Sequence, residues 1–571
     1  MFKWMFNYFQ NGAKQWLEQQ QTSILSAAAI LTASVLLSSL TGLLSYRLLA
    51  STFYNPTTKT QEQLDAYWVA FQPSDLVFQL LVVGAFSAAF IPVFTKYKHK
   101  DERDAFHMAS SVINIVLLLF VCAGTVVFIF APQIIRLMTG AGFSESQVTL
   151  AASMTRIMLF AQFFFAVSNF MSGMIQSYLR FIIPALSPVV YNLGIIFGTV
   201  VLSRYFGIFG PVYGVLLGAF AHMALQIPLA IKLGFRYYFS ILWKHAGVHD
   251  VMRLTLPRAL GEGIDLIQPY FLTFFITSIT GANLTLMRFA QRLMTIPIRV
   301  FGVPIGQAAL PFLAKETSEG DMDKFRALLT QSLHQVTFFA LPASVLLLIL
   351  RIPIVRFAFG AKNFPWTDTV LTGRLVGVMA LSVAAQAMTH VLVRGFYAMH
   401  DTRRPFFVSL LSMMLGVLMG WYITYVGDTT ANVRLVGLAV SIAATGFFEA
   451  VVLFLLLHAK VQFSLQKIVG PQAKMFVAAL LMAIGLYFPM KLLDNVIFDT
   501  TRTFGLLMLT GVVSLIGMGA YIIFALVLHV EELYILKKIW GKMDPWRKAL
   551  ARSGEAIETV SAGSDETTSS M

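Results

Sequence analysis

The most constraining feature of this sequence is a series of apolar runs, each about as long as a lipid bilayer is thick. Examples are residues 23–50, 110–131 and 181–202. A helix needs roughly 20 apolar residues to cross the hydrocarbon core, where every backbone polar group must find its partner within the protein. The runs are rich in Leu, Ala, Phe and Met and lack a period of two. They therefore predict an all-α membrane protein of bundled helices and not a barrel.

Composition excludes several other classes of protein. Hydrophobic residues make up 57% of the chain and charged residues 12%, whereas soluble domains carry about 25% charged residues. The formal net charge of +14 comes from basic residues scattered among short loops. This pattern indicates membrane orientation and attraction to anionic lipid, with no nucleic acid as a partner. The single cysteine, Cys122, excludes an intramolecular disulfide and a cysteine metal site.

The apolar runs predict about fourteen transmembrane spans. They begin near residues 24, 66, 105, 148, 181, 210, 254, 285, 324, 369, 405, 434, 473 and 504. Because the number is even, both termini lie on one side. The basic loops near residues 96–103, 232–244 and 460–474 share that side with the stretch 537–552. The positive-inside rule makes it the cytoplasm, although the opposite loop 351–362 is also basic.

The sequence contains an internal repeat. Residues 87–92, followed by Lys96, recur as residues 306–311, followed by Lys315, at an offset of about 219. Six spans lie between the copies, so the halves share one orientation and place a substrate cavity between two rocking lobes. The predicted organisation is an amphipathic segment (1–22), an N-lobe of six spans (23–235), a C-lobe of six spans (250–460), two lipid-groove helices (472–530) and a cytoplasmic tail (531–571).

Ionisable residues at membrane depth are costly and are therefore functional candidates. Arg288, Arg292 and Arg299 in the eighth span are spaced to lie on one helix face. Arginine suits a diphosphate because its planar fork makes paired charge-assisted bonds. We interpret Arg288 as an interfacial residue that reaches toward water, and Arg292 and Arg299 as the binding pair, with structural pairing as the alternative.

A second group of charges lies in the seventh span, where Arg258, Glu262 and Asp265 follow one another at about one turn. They form either a self-neutralised structural cluster or a site that couples transport to H⁺ or Na⁺. Asp75 is a further candidate for coupling. As lone polar groups, Asp75, Arg47, His222 and His390 are each interpreted first as helix–helix contacts and second as ligands.

No catalytic constellation is present in the sequence. It has no phosphate-cradling glycine loop with lysine, no HExxH and no soluble domain large enough for ATP hydrolysis. We therefore predict a transporter and not an enzyme, without metal or cofactor. Transport would draw on the membrane potential, on an H⁺ or Na⁺ gradient, or on consumption of the product.

Several motifs carry a resemblance to one family. The sequence contains DAYWVAF at 65–71, GAFSAAFIP at 84–92 and RGFYAMHDTRRP at 394–405. These motifs resemble those of the MurJ (MviN) lipid II flippases of the multidrug/oligosaccharidyl-lipid/polysaccharide exporter superfamily. The resemblance implies a MATE-like and MurJ-like fold in the bacterial inner membrane. It implies that a monomer is sufficient for transport. It also implies movement of undecaprenyl-diphosphate-linked peptidoglycan precursor to the outer leaflet for cell wall synthesis.

The sequence departs from the family pattern in the first lobe. The first span of the family typically carries the motif SRxxGxxRD. When its glycine is aligned with Gly42, this chain has Ser39 and Ser45 in place of the two arginines and Tyr46 in place of the aspartate. Arg292 and Asp65 match family positions. The implied substrate-binding residues are Arg292, Arg299, Arg258, Arg47 and Asp65, with Arg47 and Arg299 supplying charge from shifted sites. The alternatives are export of another polyprenyl-linked oligosaccharide, a cation-coupled drug exporter using Asp75, Glu262 and Asp265, and a non-transporting scaffold.

Overall fold

A computed structural model of the chain describes residues 24–83, 90–281, 283–360, 364–427, 429–496 and 503–533. Side chains are described within these ranges except at residues 24–32, 83, 92, 254–265, 494–496 and 503–504. The predicted segment 1–22, nearly all of the predicted tail and most of the motif at 84–92 lie outside the described residues. Over the described ranges the regular structure is helical and contains no strand, as the apolar runs predict.

The first half of the chain forms ten helices in the described ranges. They are α1 Ile24–Phe53, α2 Gln61–Phe78, α3 Ile91–Lys98, α4 Glu102–Ile129, α5 Ala131–Met138, α6 Glu145–Ser177, α7 Ile182–Phe197, α8 Ser203–Phe206, α9 Phe209–Ala224 and α10 Ile227–Lys232. Helix α6 packs against α2 and α9, and α7 packs against α1 and α9. Local sequence sets the helix starts, because Ser144 and Gln147 form a reciprocal capping box at α6.

The second half contributes eleven helices over the residues that the structure describes. They are α11 Ala246–Ser278, α12 Leu284–Pro297, α13 Val303–Glu319, α14 Met322–Ile349, α15 Arg351–Phe359, α16 Trp366–Ala380, α17 Val383–Ala398, α18 Arg403–Trp421, α19 Ala431–Val461, α20 Leu465–Val496 and α21 Thr503–Val527. Helices α11 to α19 pack among themselves, while α20 and α21 pair with each other and dock on α14. Buried Met475, Met482 and Leu486 of α20 form the centre of that contact.

Wide π turns interrupt the long helices at four places in the described chain. They extend α2 at Gln79–Val83, α7 at Gly198–Leu202, α12 at Ile298–Gly302 and α18 at Tyr422–Val426. The turn after α12 follows the turn after α2 at the offset of about 219 seen in the sequence repeat. The short helices α5 and α15 are separated by a similar offset. Similar local structure thus occurs near both copies of the repeat, although residues 87–89 of the first copy lie outside the described residues.

Eleven helices in the described ranges are long and apolar enough to cross a membrane, and the bent pair α16–α17, with an angle of 41°, makes twelve. The two predicted spans outside this set coincide with α2 and α11. Helix α2 carries Glu62, Asp65 and Asp75, and in α11 the apolar stretch within the described side chains is Leu266–Ser278. Twelve of the predicted spans thus coincide with helices that are apolar and long enough within the described ranges, and helices α2 and α11 occupy the other two predicted positions.

The largest hydrophobic cluster crosses between the two halves of the molecule. Phe289 of α12 stacks on Phe359 of α15 with ring centroids 4.2 Å apart, and Tyr54, just after α1, packs against Phe364. Large apolar side chains are exposed on the outer faces of many of the long helices. In lipid these exposed faces need no further cover, because the hydrocarbon is itself apolar.

Candidate functional site

A cavity of about 370 Å³ lies between the two halves of the molecule. Helices α1, α2 and α7 line one side of it, and α11 and α12 line the other. Tyr46, Trp68 and Tyr191 come from the first side, and Tyr270, Arg288 and Arg292 from the second. Such a volume falls within the range of roughly 300–1,000 Å³ typical of ligand pockets. The cavity is therefore large enough to hold the polar part of a ligand.

Arg292 is held at the boundary between the two sides of the cavity. Its Cζ lies 5.2 Å from the ring centroid of Tyr46 on α1. Gly42, one turn earlier on α1, leaves room for the guanidinium, because a Cβ at that position would overlap Arg292 Nη2. Among the described residues the buried Nε of Arg292 has no hydrogen-bond partner. The guanidinium thus keeps donor capacity for a ligand.

Arg288 lies one turn before Arg292 on α12 and also lines the cavity. Its Nη2 donates to Thr273 Oγ1 of α11 at 2.9 Å. Asp75 of α2 lines the same cavity and is close enough to attract Arg288 electrostatically. Gln162 Nε2 donates to the Asp75 carboxylate. The site therefore presents two guanidinium groups and one carboxylate among its described lining residues.

Arg299, the third member of the predicted ladder, lies in the π turn Ile298–Gly302 and is exposed. It is near enough to Arg292 to repel it electrostatically, but it is not among the residues that line the cavity. Arg299 follows Arg292 by seven residues, or about 10 Å of helix at a rise of 1.5 Å per residue. Among the described lining residues of this helix the cavity ends at Arg292, so the third arginine of the ladder lies beyond it.

Hydrogen bonds join the two halves at the end predicted to be external. Asp65 Oδ1 accepts from the backbone N–H of Thr285 at 2.8 Å and from its hydroxyl at 2.6 Å. Tyr54 donates to Asp368 at 2.6 Å and accepts from Asn283 at 2.7 Å. Burial raises the pKa of Tyr54 and the Asp368 carboxylate raises it further, so the phenol remains a donor. These bonds hold that end of the molecule closed.

Two more contacts extend this closed end. Arg47 of α1 donates to the backbone carbonyl of Phe357 on α15, and Gln72 Nε2 donates to Thr273 Oγ1 at 2.6 Å. Arg47 and Asp65 are predicted from the sequence to bind substrate, yet neither lines the cavity. The structure instead places both in the contacts between the two halves. The side chains of the predicted residues Arg258, Glu262 and Asp265 lie outside the described residues.

Comparison with known proteins decides the family. The family described as "Lipid II flippase MurJ" matches residues 60–503. The chain belongs to the MurJ family. It is similar to the probable lipid II flippase MurJ of Buchnera aphidicola subsp. Acyrthosiphon pisum, with 26% identity covering 71% of this chain and 78% of the relative. It is also similar to the lipid II flippase MurJ of Burkholderia cenocepacia, with 25% identity covering 75% of this chain and 83% of the relative.

Solved structures show the same fold. The chain is similar to a structure of the lipid II flippase MurJ in an inward closed conformation, with a TM-score of 0.71, 23% identity and coverage of 90% of this chain and 100% of that chain. An inward-facing multidrug resistance MATE transporter gives a TM-score of 0.62 with 15% identity over 76% of this chain and 98% of its own. The predicted MurJ-like and MATE-like architecture is confirmed. Membership of the MurJ family also confirms the prediction that the protein is a transporter and not an enzyme. MurJ membership also makes the chain a multi-pass protein of the bacterial inner membrane.

The MurJ signature at 394–405 serves a structural purpose in this chain. Asp401 Oδ1 accepts from the backbone N–H of Arg404 at 3.3 Å at the start of α18. Its other oxygen accepts from Lys460 of α19 at 2.6 Å. His400 adopts a positive φ of 56° in the turn. The motif therefore fixes the α17–α18 turn against α19, away from the cavity.

Of the two lone histidines predicted as helix–helix contacts, His222 joins two helices, whereas the described partner of the His390 side chain is on its own helix. His222 Nδ1 of α9 lies 2.6 Å from Ser168 Oγ of α6. Gln226 donates to the same Ser168 at 2.7 Å. His390 lies beside Arg394 on the same helix, with 3.4 Å between Nδ1 and Nη1. Within the described ranges no three His, Cys, Asp or Glu residues form a group that could hold a metal ion.

Sequence reasoning missed the polar atoms of Trp68 and Gln72. Both residues line the cavity, and both lie in or beside the motif at 65–71, which carried only the family resemblance. The available signal was their polarity: an indole N–H and an amide on a span that must be buried on most sides. Both side chains therefore add hydrogen-bonding capacity to the cavity beyond that of its charged residues.

The Asp65 contact makes a testable prediction. We expect Asp65→Ala to destabilise the closed external end, because a charged acceptor of two hydrogen bonds contributes on the order of 1.5–3 kcal/mol. In a Cys122→Ser, Ser45→Cys background, labelling of the cavity cysteine by an impermeant maleimide added outside cells should accelerate about tenfold or more. Gln63→Ala on the exposed side of α2 is the control. An unchanged labelling rate in Asp65→Ala would show that this contact does not hold the end closed.

Proposed function

We propose that this MurJ protein carries lipid II from the cytoplasmic to the outer leaflet by alternating access of two six-helix lobes, with both termini in the cytoplasm. Lipid II joins a polyprenyl chain to a sugar–peptide headgroup through a diphosphate. The observation that carries the proposal is the placement of Arg292 and Arg288 in the cavity between the halves. In a site shielded from water, paired guanidinium bonds to a diphosphate are stronger than neutral hydrogen bonds.

Charge also supports the proposed direction of transport. The diphosphate diester carries about two negative charges, and the bacterial cytoplasm is electrically negative. Moving one charge across a potential of 100 mV corresponds to about 2.3 kcal/mol. Outward movement of the headgroup is therefore favoured by the membrane potential, without ATP. Asp75, together with Glu262 and Asp265 of α11, remains our proposal for coupling to H⁺ or Na⁺.

The lipid chain needs a path outside the polar cavity. Helices α20 and α21 are additional to the two lobes and pack on the outside of one of them, against α14 and α15. Their outward residues include Ile484, Phe488 and Leu515, all strongly exposed. We propose that these two helices border the groove in which the polyprenyl chain stays in contact with lipid while the headgroup crosses.

Reconstitution tests the function directly. Full-length protein in proteoliposomes is expected to make lipid II in the inner leaflet accessible to a reagent added outside, at a rate well above that of protein-free vesicles. Another polyprenyl-linked oligosaccharide and an organic cation serve as competing substrates. Because two arginines and one acid line the described cavity, cation transport is expected to be absent. Movement of the cation without movement of lipid II would support the drug exporter and overturn this proposal.

A further inference from the structure

The N-lobe side of the central cavity is aromatic. Tyr46, which stands where the family pattern has an aspartate, lies 4.8 Å from Trp68 between ring centroids. Tyr191 of α7 lines the same side, and Tyr270 of α11 lines the cavity from the opposite side. We call Tyr46, Trp68, Tyr191 and Tyr270 the aromatic wall. Aromatic rings bind flat apolar surfaces, and these residues carry no positive charge with which to replace the missing arginines in neutralising a phosphate.

Polar atoms within or beside this wall lack partners. Trp68 is 7% exposed and Gln72 is 5% exposed. Among the residues that the structure describes, neither Trp68 Nε1 nor Gln72 Oε1 has a hydrogen-bond partner. A buried donor or acceptor left unsatisfied costs about 1–3 kcal/mol. Trp68 and Gln72 both line the cavity, so the residues around it include one unsatisfied donor and one unsatisfied acceptor.

The orientation of the Gln72 amide is set by its neighbours. The Thr273 hydroxyl donates to the backbone carbonyl of Pro269 at 3.0 Å, so its oxygen must accept from Gln72 and Arg288. Gln72 is thereby required to turn its NH₂ group toward Thr273. The carbonyl oxygen of the amide is the atom left over, which identifies Gln72 as an acceptor for the ligand.

Building on the proposed function, we propose that the aromatic wall with Gln72 is a carbohydrate subsite, which holds the sugar attached directly to the diphosphate. A sugar ring has an apolar C–H face for aromatic rings and hydroxyl groups that both donate and accept. A polyprenyl chain offers no polar atom, and an ionised phosphate cannot donate to Gln72. Because Arg292 lies next to Tyr46, a sugar on the wall immediately adjoins a diphosphate on the arginine.

Two lipid probes separate the sugar from the diphosphate. Binding to full-length protein in nanodiscs is measured for undecaprenyl diphosphate and for the same lipid carrying one N-acetylated sugar. Trp68→Phe keeps an aromatic ring and removes only the N–H donor. We expect it to weaken binding of the sugar-bearing lipid about five- to tenfold and to leave the bare lipid unchanged. Trp366→Phe, at a site 62% exposed outside the cavity, is the matched control.

A second variant guards against an indirect effect of the first. Gln72→Met removes the acceptor at similar size and should show the same selective loss. Thr273→Val removes the acceptor of both Gln72 and Arg288, so it should weaken the binding of both lipids. Equal loss for both lipids, or no loss, in Trp68→Phe and Gln72→Met would overturn the subsite. If Arg292→Ala binds both lipids as tightly as the parent protein does, the diphosphate site of the proposed function is overturned instead.

Discussion

Replacing Arg292 with alanine is expected to abolish lipid II transport while the protein still folds and reaches the membrane. The guanidinium lines the cavity between the two halves, and its Nε is buried without a partner among the described residues. Removing one partner of a buried charge pair typically costs about 2–5 kcal/mol, which corresponds to a loss of roughly thirtyfold or more in affinity for a diphosphate. Growth of a flippase-depleted strain and vesicle transport are the measurements.

The same site offers a subtler test in Gly42→Ala. Its added Cβ would overlap Arg292 Nη2 and lie 3.2 Å from Cζ. Because the overlapping atom is the end of a flexible side chain, the fold can adjust, but the guanidinium must move from its present place. We expect nearly normal stability with transport reduced about tenfold, since small misplacements of a binding group are costly.

Arg156→Ala is the control for both variants, because Arg156 donates to the backbone carbonyl of Phe128 within the N-lobe and does not line the cavity. Full transport by Arg292→Ala would eliminate this arginine as the diphosphate ligand. Full transport by Gly42→Ala would show only that the guanidinium tolerates displacement.

The sequence predicts much of the fold because membrane insertion depends on local composition. The length of the apolar runs locates the helices. Even the more polar helices α2 and α11 begin near the starts that the sequence predicts. Apolar composition is less informative at α2, because this helix carries three acidic residues and is not among the described helices that are apolar enough to cross a membrane. Short motifs predict membership of the lipid II flippase family. One of them, the signature at 394–405, stabilises a turn and does not line the cavity.

The candidate site is only partly predictable, because its contacts join residues distant in sequence. Arg292 is predicted from helical spacing, which is a local property. Asp65 lies 220 positions from Thr285, and no spacing rule connects them, so its role in closing the external end could not be anticipated. Arg299 lies beyond the described lining of the cavity, in a π turn at Ile298–Gly302 that regular helical spacing does not predict.

Gly214→Leu is expected to disrupt the packing of the N-lobe. Glycines spaced by four on α7 (Gly194) and the π turn after it (Gly198) face glycines spaced by four on α9 (Gly210, Gly214, Gly218). In membranes such small residues let two helix backbones approach closely. A Cβ at Gly214 would lie 2.6 Å from the Gly194 carbonyl oxygen and 2.8 Å from Gly198 Cα. Backbone atoms cannot rotate aside, so the helices must separate.

Overpacking of this kind costs about 1–3 kcal/mol or more, and we expect Tm in detergent to fall by roughly 5–10 °C. Gly485→Leu makes the same chemical change on α20, where an added Cβ meets nothing within 4 Å, so its Tm should stay near that of the parent. Transport should fall with Gly214→Leu as well, because α7 carries Tyr191 of the cavity and Asn192, which donates to the Ser38 carbonyl of α1 at 3.1 Å. Equal melting temperatures for the two variants would mean that α7 and α9 do not approach as closely as their glycines indicate.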